Sequence, residues 1–135
     1  MLYRLIEAGQ MARHTLLRPL GELGGEAGDD AIILALPKSG PLATEMVCAG
    51  TGLDADSLEP RLQRLLDLGL VSRVEIEAEG ELIPAIVLSV KGSEVRKKLC
   101  AHWQELENAL MGELKPKQQR RLEAIMSRFA DLLAL

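Results

Sequence analysis

Pro41-Leu42-Ala43-Thr44-Glu45-Met46-Val47-Cys48-Ala49-Gly50-Thr51-Gly52-Leu53-Asp54 decides the fold, because it places a tight glycine turn between two short helical patterns. Pro41 suits a first helical position, which predicts a helix from Leu42 to about Ala49 that ends at Gly50-Thr51-Gly52. Leu53-Asp54 leads into the next helix, whose buried stripe is Leu58, Leu62 and Leu65 and whose end is near Leu68, with Gly69 as a C-terminal cap. Upstream, Asp29 or Asp30 caps a helix over Ala31–Leu36 that stops before Pro37. Three short helices joined by tight turns form a helix-turn-helix unit.

Downstream, Val71 to Glu77 alternates around Val74 and Ile76, and Ala85 to Leu88 is a second β-rich run. Ala78 to Glu81, with Gly80, closes a hairpin between them. Pro84 restricts its strand to an edge or irregular role. Residues 29–92 therefore read as a helix-turn-helix followed by a β-wing. Before it, Leu2, Leu5, Ile6, Ala12, Leu16, Leu17 and Leu20 give a helix to about Leu23, broken by Gly24-Gly25-Glu26-Ala27-Gly28. After it, Ser89 to about Leu114 is a long helical segment. Lys117 to Leu133 is a final helix with Leu122, Ile125, Met126, Phe129, Leu132 and Leu133 on one face.

The predicted fold class is mainly α with a small β-hairpin wing, in a single domain over residues 1–135. Residues 29–92 form the winged unit, and residues 1–28 and 93–135 form a helical platform. A domain this small covers only part of the apolar faces of its terminal helices. Pairing across a two-fold axis buries the rest. Leu5, Leu16, Leu122, Ile125, Met126 and Phe129 are the expected dimerisation residues.

Composition narrows the function. The chain has 135 residues, a net charge of −4 and one each of Phe, Trp and Tyr. So few aromatics exclude a stacking platform for single-stranded nucleic acid. The acidic balance argues against a strongly basic nucleic-acid binder but leaves room for a small local patch. There is no apolar run of membrane-spanning length and no signal peptide, which predicts a cytoplasmic protein without a membrane partner. Cys48 and Cys100 form no ligand motif; Cys48 reads as a core filler and Cys100 as a thiol beside Lys97 and Lys98. His14 and His102 lack partners at metal-ligand spacing. Gly21 to Gly28 lacks the preceding strand of a dinucleotide loop. No cofactor, metal site or catalytic constellation is expected, and the chain reads as a non-enzyme.

A winged helix usually sets a helix into the major groove. On the third helix, Ser57 would come near base edges or phosphate, Glu59 would accept from a cytosine amino group, and Gln63 is exposed. Arg61 and Arg64 would hold phosphates, with Arg73 in the wing and Lys91 after it. Against this, the wing reads Glu75-Ile76-Glu77-Ala78-Glu79-Gly80-Glu81. Its four glutamates are expected to share one face and to repel a phosphate backbone.

The order of elements resembles the MarR family of transcription regulators over nearly the whole chain. Pro41-Leu42 through Gly52-Leu53-Asp54 is similar to that family's first helix-turn-helix helix. Leu65-Leu66-Asp67-Leu68-Gly69-Leu70-Val71 resembles its recognition-helix exit, and Leu88-Ser89-Val90-Lys91-Gly92 its strand-to-helix junction. Leu99 to Leu135, with Trp103 and Leu114-Lys115-Pro116, resembles its C-terminal helices. The resemblance implies a homodimer that binds a double-stranded DNA operator and responds to a small-molecule effector. It places the effector pocket between platform and winged helix, and the scarcity of aromatics makes its lining aliphatic. Gly80, Glu81 and Leu82 stand where the family wing carries Asp-x-Arg-type residues. Ser57-Leu58-Glu59-Pro60 is similar to the hydroperoxide-sensing branch, but Leu2 to Ile6 has no cysteine, so that chemistry does not carry over. The competing expectation is a winged-helix interaction module that has lost DNA binding and uses its acidic wing to hold a protein partner.

Overall fold

The computed structural model describes residues 1–134. Among them the chain forms α1 (Leu2–Gly21), α2 (Asp29–Ala35), β1 (Leu42–Ala43), α3 (Thr44–Thr51), α4 (Ala55–Asp67), β2 (Val71–Ala78), β3 (Glu81–Leu88), α5 (Val90–Gly112) and α6 (Pro116–Leu133). This is the expected mainly α architecture with a β-hairpin wing. Two compact units divide it, Met1–Ala101 and His102–Leu135.

In the first unit the core is aliphatic. Leu20 from α1, Ile32 and Ile33 from α2, Val47 from α3, and Leu58, Leu62 and Leu65 from α4 are fully buried. Leu70, Val71 and Ile86 from the base of the wing join them, with Val95 and Leu99 of α5. The three-residue and four-residue spacing of the α4 leucines puts them on one stripe, which leaves the opposite face to water.

The sheet order is β1-β3-β2, all antiparallel. Leu42 and Ala43 are strand residues that pair with Ile86 and Ala85, not the start of the helix; α3 begins at Thr44. Their backbone groups are satisfied across the sheet instead of along a helix. β3 is longer than the β-rich run suggests and is the central strand, yet Pro84 is tolerated. It lies one residue beyond the β1 pairing, where β3 has only β2 as a neighbour and no ladder bond is lost on the other side. Ala78 faces Glu81 across a two-residue turn, with Glu79 at φ 51° and Gly80 at φ 81°. Both positive values match the twist of a tight hairpin. The turn also resets the strand alternation. Glu75 and Glu77 share one face, whereas Glu81 pairs with Ala78 on the other.

The junction from β3 to α5 is locked onto the end of α4. Ser89 Oγ donates to Gly69 O at 2.6 Å and accepts from Gly92 N–H at 2.9 Å, and Ser89 N–H donates to Leu70 O at 3.0 Å. A Cβ on Gly92 would overlap the Leu70 carbonyl, so only glycine lets α5 start this close.

The second unit holds the end of α5 and α6. Gln118 accepts from Lys115 N–H at 2.9 Å, and Pro116 opens the helix. Gln119 Nε2 donates to Met111 O at 2.7 Å and Leu114 O at 3.1 Å, which caps the end of α5.

Candidate nucleic-acid interface

Helix α4 is held at three points. At its start, Asp54 accepts from Ser57 N–H at 2.7 Å, an N-cap that satisfies one of the orphan donors of the first turn. This bond holds the exposed Asp54 carboxyl below its ordinary pKa. Along its inner face the leucine stripe is buried. On its flank, Arg64 makes a bidentate pair with Asp29, with Nε donating to Oδ2 at 2.7 Å and Nη2 to Oδ1 at 2.9 Å.

Asp29 is the buried charged side chain of the unit. Its Oδ2 also accepts from Glu26 N–H at 2.9 Å, and Arg61 Nη1 approaches Oδ1 at 3.4 Å while donating to Ala27 O at 2.8 Å. Arg64 further approaches Glu26 at 3.5 Å. Burial raises the Asp29 pKa, but the Arg64, Glu26 and Arg61 bonds outweigh it and hold the carboxyl below the usual range. The same pair raises Arg64. Asp29 and Asp30 thus do not cap α2 from outside. They are its first two residues, and their carboxylates accept amides upstream, Asp30 from Gly28 N–H at 3.1 Å.

The proposed phosphate cations therefore already have partners. Arg61 and Arg64 tie α4 to the α1–α2 loop. Arg73 of β2 pairs with Glu59 of α4, which joins wing to helix. Lys91 Nζ donates to Leu68 O at 3.0 Å, and Gln63 donates to Asp67 at 3.0 Å. Ser57 and Glu59 are exposed near the start of α4. Sequence reasoning placed these residues on the right elements but missed the Asp29 hub, since a buried carboxylate carries no periodic signal. Glu75, Glu77, Glu79 and Glu81 are exposed and enter no ion pair among the described residues.

Beside the α1–α2 loop is a cavity of about 500 Å³, lined by His14, Leu17, Arg18, Gly21, Glu22, Gly25, Glu26 and Ala27. His14, Arg18, Glu22 and Glu26 bring charged or polar groups to its wall, but the surface turned to the cavity is mainly apolar, with Leu17 and Ala27 among its lining. Cys48 packs against the core as expected, and Cys100 is exposed.

The terminal helices keep large apolar surfaces in the single chain. Among the described residues α6 has no buried residue, with Ile125 47 % and Phe129 41 % exposed. Leu5, Ile6 and Met126 are likewise exposed, and Leu16 and Leu122 are half-buried. Trp103 and Tyr3 are exposed, which rules out a core role for either within one chain.

The capped helix α4, the β-hairpin wing beside it and the remaining helices define a winged-helix fold. Many solved structures of MarR-family transcriptional regulators share this fold over nearly the whole chain. AbsC from Streptomyces coelicolor is 19% identical at a TM-score of 0.76, covering 98% of this chain and 91% of its own. The PcaV regulator from the same organism is 20% identical at 0.73, covering 99% and 98%. NadR, solved in complex with 4-hydroxyphenylacetate, is 20% identical at 0.68, covering 95% and 90%. No family model matches the chain, and no curated protein does.

Proposed function

We propose that this chain is a homodimeric, non-enzymatic transcription regulator that reads double-stranded DNA with α4. The observation that carries this reading is the presentation of α4, which is capped at Asp54, buried along its leucine stripe and exposed at Ser57 and Glu59. A helix N-terminus held this way suits base-edge contact in the major groove. The exposed apolar residues of α1 and α6 support dimerisation, with residues 1–28 and 93–135 as platform and 29–92 as reading unit. Two-fold pairing then gives two reading helices for two half-sites. No helix is long and apolar enough to cross a membrane, which is compatible with the cytoplasmic location this function requires.

Ligand response follows by likeness to NadR, whose structure holds 4-hydroxyphenylacetate. A small aromatic acid is the corresponding effector class here. The cavity at His14 and Arg18 supports it, since its wall includes Glu26 and Ala27, which bond the arginines of α4. Filling it would act on the reading helix through those bonds.

The second reading is a protein-interaction module, favoured by four exposed, unpaired glutamates in the wing. DNA selection with the purified protein, followed by fluorescence anisotropy on a selected and a random duplex at two salt concentrations, separates the two. With Glu79→Gln and Glu81→Gln together, DNA affinity should rise, because two charges repelling the backbone are gone. No selected sequence, and no change of affinity on neutralising the wing, would reject the regulator reading.

A further inference from the structure

A second polar site lies away from the reading helix and away from the His14 cavity. Lys38, in the turn between α2 and β1, and Ser93, Arg96 and Lys97, on α5, line a small cavity of about 130 Å³. At roughly 30 Å³ per water, it has room for about four waters. It is well below the ~300 Å³ at which pockets for drug-sized ligands begin.

Its lining has one sign. Three of the four side chains are cations, in a chain whose net charge is −4. None of the three enters an ion pair among the described residues, and no carboxylate lines the cavity. By contrast, Arg13, Arg61, Arg64 and Arg73 have carboxylate partners, and Lys91 donates to the Leu68 carbonyl. In addition, Arg96 Nε is buried and has no hydrogen-bond partner. A guanidinium N–H removed from water without an acceptor bears the desolvation cost of a charged donor. Water in the cavity would leave the converging positive charges uncompensated. An oxyanion would compensate them, since a guanidinium matches its geometry, two ammonium groups supply charge, and the Ser93 hydroxyl adds a neutral donor.

We propose that Lys38, Ser93, Arg96 and Lys97 form a binding site for one phosphate-type oxyanion. The phosphate is either a free small molecule or a backbone phosphate of a bound duplex. Because Lys38 precedes β1 and the other three residues belong to α5, the bound anion would tie the start of the β1–α3 segment to the first turns of α5.

The test is a titration of the full chain with inorganic phosphate at constant ionic strength, followed by amide NMR. The amides of Lys38, Ser93 and Lys97 should shift to saturation. Arg96→Gln and, independently, Lys97→Gln should each weaken that binding at least about tenfold, as loss of a charge-assisted bond predicts. Lys97 is exposed, so its variant keeps the test valid if Arg96→Gln fails to fold. A parallel arm measures the salt dependence of duplex binding. If Lys97→Gln lowers the slope of log affinity against log salt by about one, the phosphate belongs to the duplex backbone. If phosphate saturates the site and the slope is unchanged, the anion is a free one. Shifts that do not saturate, or that saturate equally in both variants, together with an unchanged slope, would overturn the proposal.

Discussion

Replacing Asp29 with Asn tests the hub that holds α4. The change is nearly isosteric, so packing around Leu62 and Leu65 stays as it is. What changes is the charge and half of the acceptor capacity. Arg64 Nε and Nη2, at 2.7 and 2.9 Å, meet an amide that presents one oxygen and one NH₂ group. Whichever way the amide turns, one donor faces another donor. Breaking a buried ion pair costs about 3–5 kcal/mol when the surviving charge is trapped. Here Arg64 and Arg61 keep 27 % and 30 % of their side-chain exposure, so each can turn toward water. The expected loss is therefore lower, about 2–3 kcal/mol at neutral pH. With a urea slope of roughly 1–3 kcal/mol per molar, the denaturation midpoint should fall by about 1 M or more at fixed protein concentration. The pH dependence provides a second check. The folded-state pKa of Asp29 lies below its unfolded value of about 3.9. The unfolded chain thus binds more protons in that range, so this stabilisation is complete above about pH 4 and is lost as pH falls through the folded value. The gap between wild type and variant should close at low pH. A variant within about 0.5 kcal/mol of wild type at pH 7, a typical neutral surface change, would refute the reasoning, as would a gap that persists in acid.

Gly92→Ala should destabilise the chain by about 3 kcal/mol or prevent folding, the upper end of overpacking costs, because the added methyl overlaps the Leu70 carbonyl; thermal unfolding measures it, and an unchanged midpoint contradicts it. Asp54→Ala should fray the first turn of α4, seen as faster amide exchange at Ser57 with little change at Leu65. Ile125→Glu combined with Phe129→Glu should convert a dimer to a folded monomer by light scattering, since both residues are exposed in one chain; a variant that remains dimeric places the interface elsewhere.

The sequence by itself determined the elements whose signal is local and repeated. The Leu58, Leu62 and Leu65 spacing marks α4 because a helix turns every 3.6 residues. Gly80, within Ala78 to Glu81, marks the hairpin because glycine accepts a positive φ at no steric cost, and Pro116 marks the break before α6. These patterns were enough for the winged-helix order, since each is set by neighbours in the chain. Tertiary structure alone decided what distant residues do to one another. Leu42 and Ala43 become a strand only because Ile86 and Ala85 lie beside them, and a two-residue strand has no period to read. Glu81 leaves the face of Glu75 and Glu77 because the tight turn resets the alternation. Arg61 and Arg64 looked free for phosphate along the helix surface, yet Asp29 lies 35 residues before Arg64 and binds it in space. Lys38 meets Ser93, Arg96 and Lys97 in the same way. A charge selects its partner by distance and burial, and neither leaves a repeat in the chain, so the destination of each charged side chain was settled only when the backbone had closed.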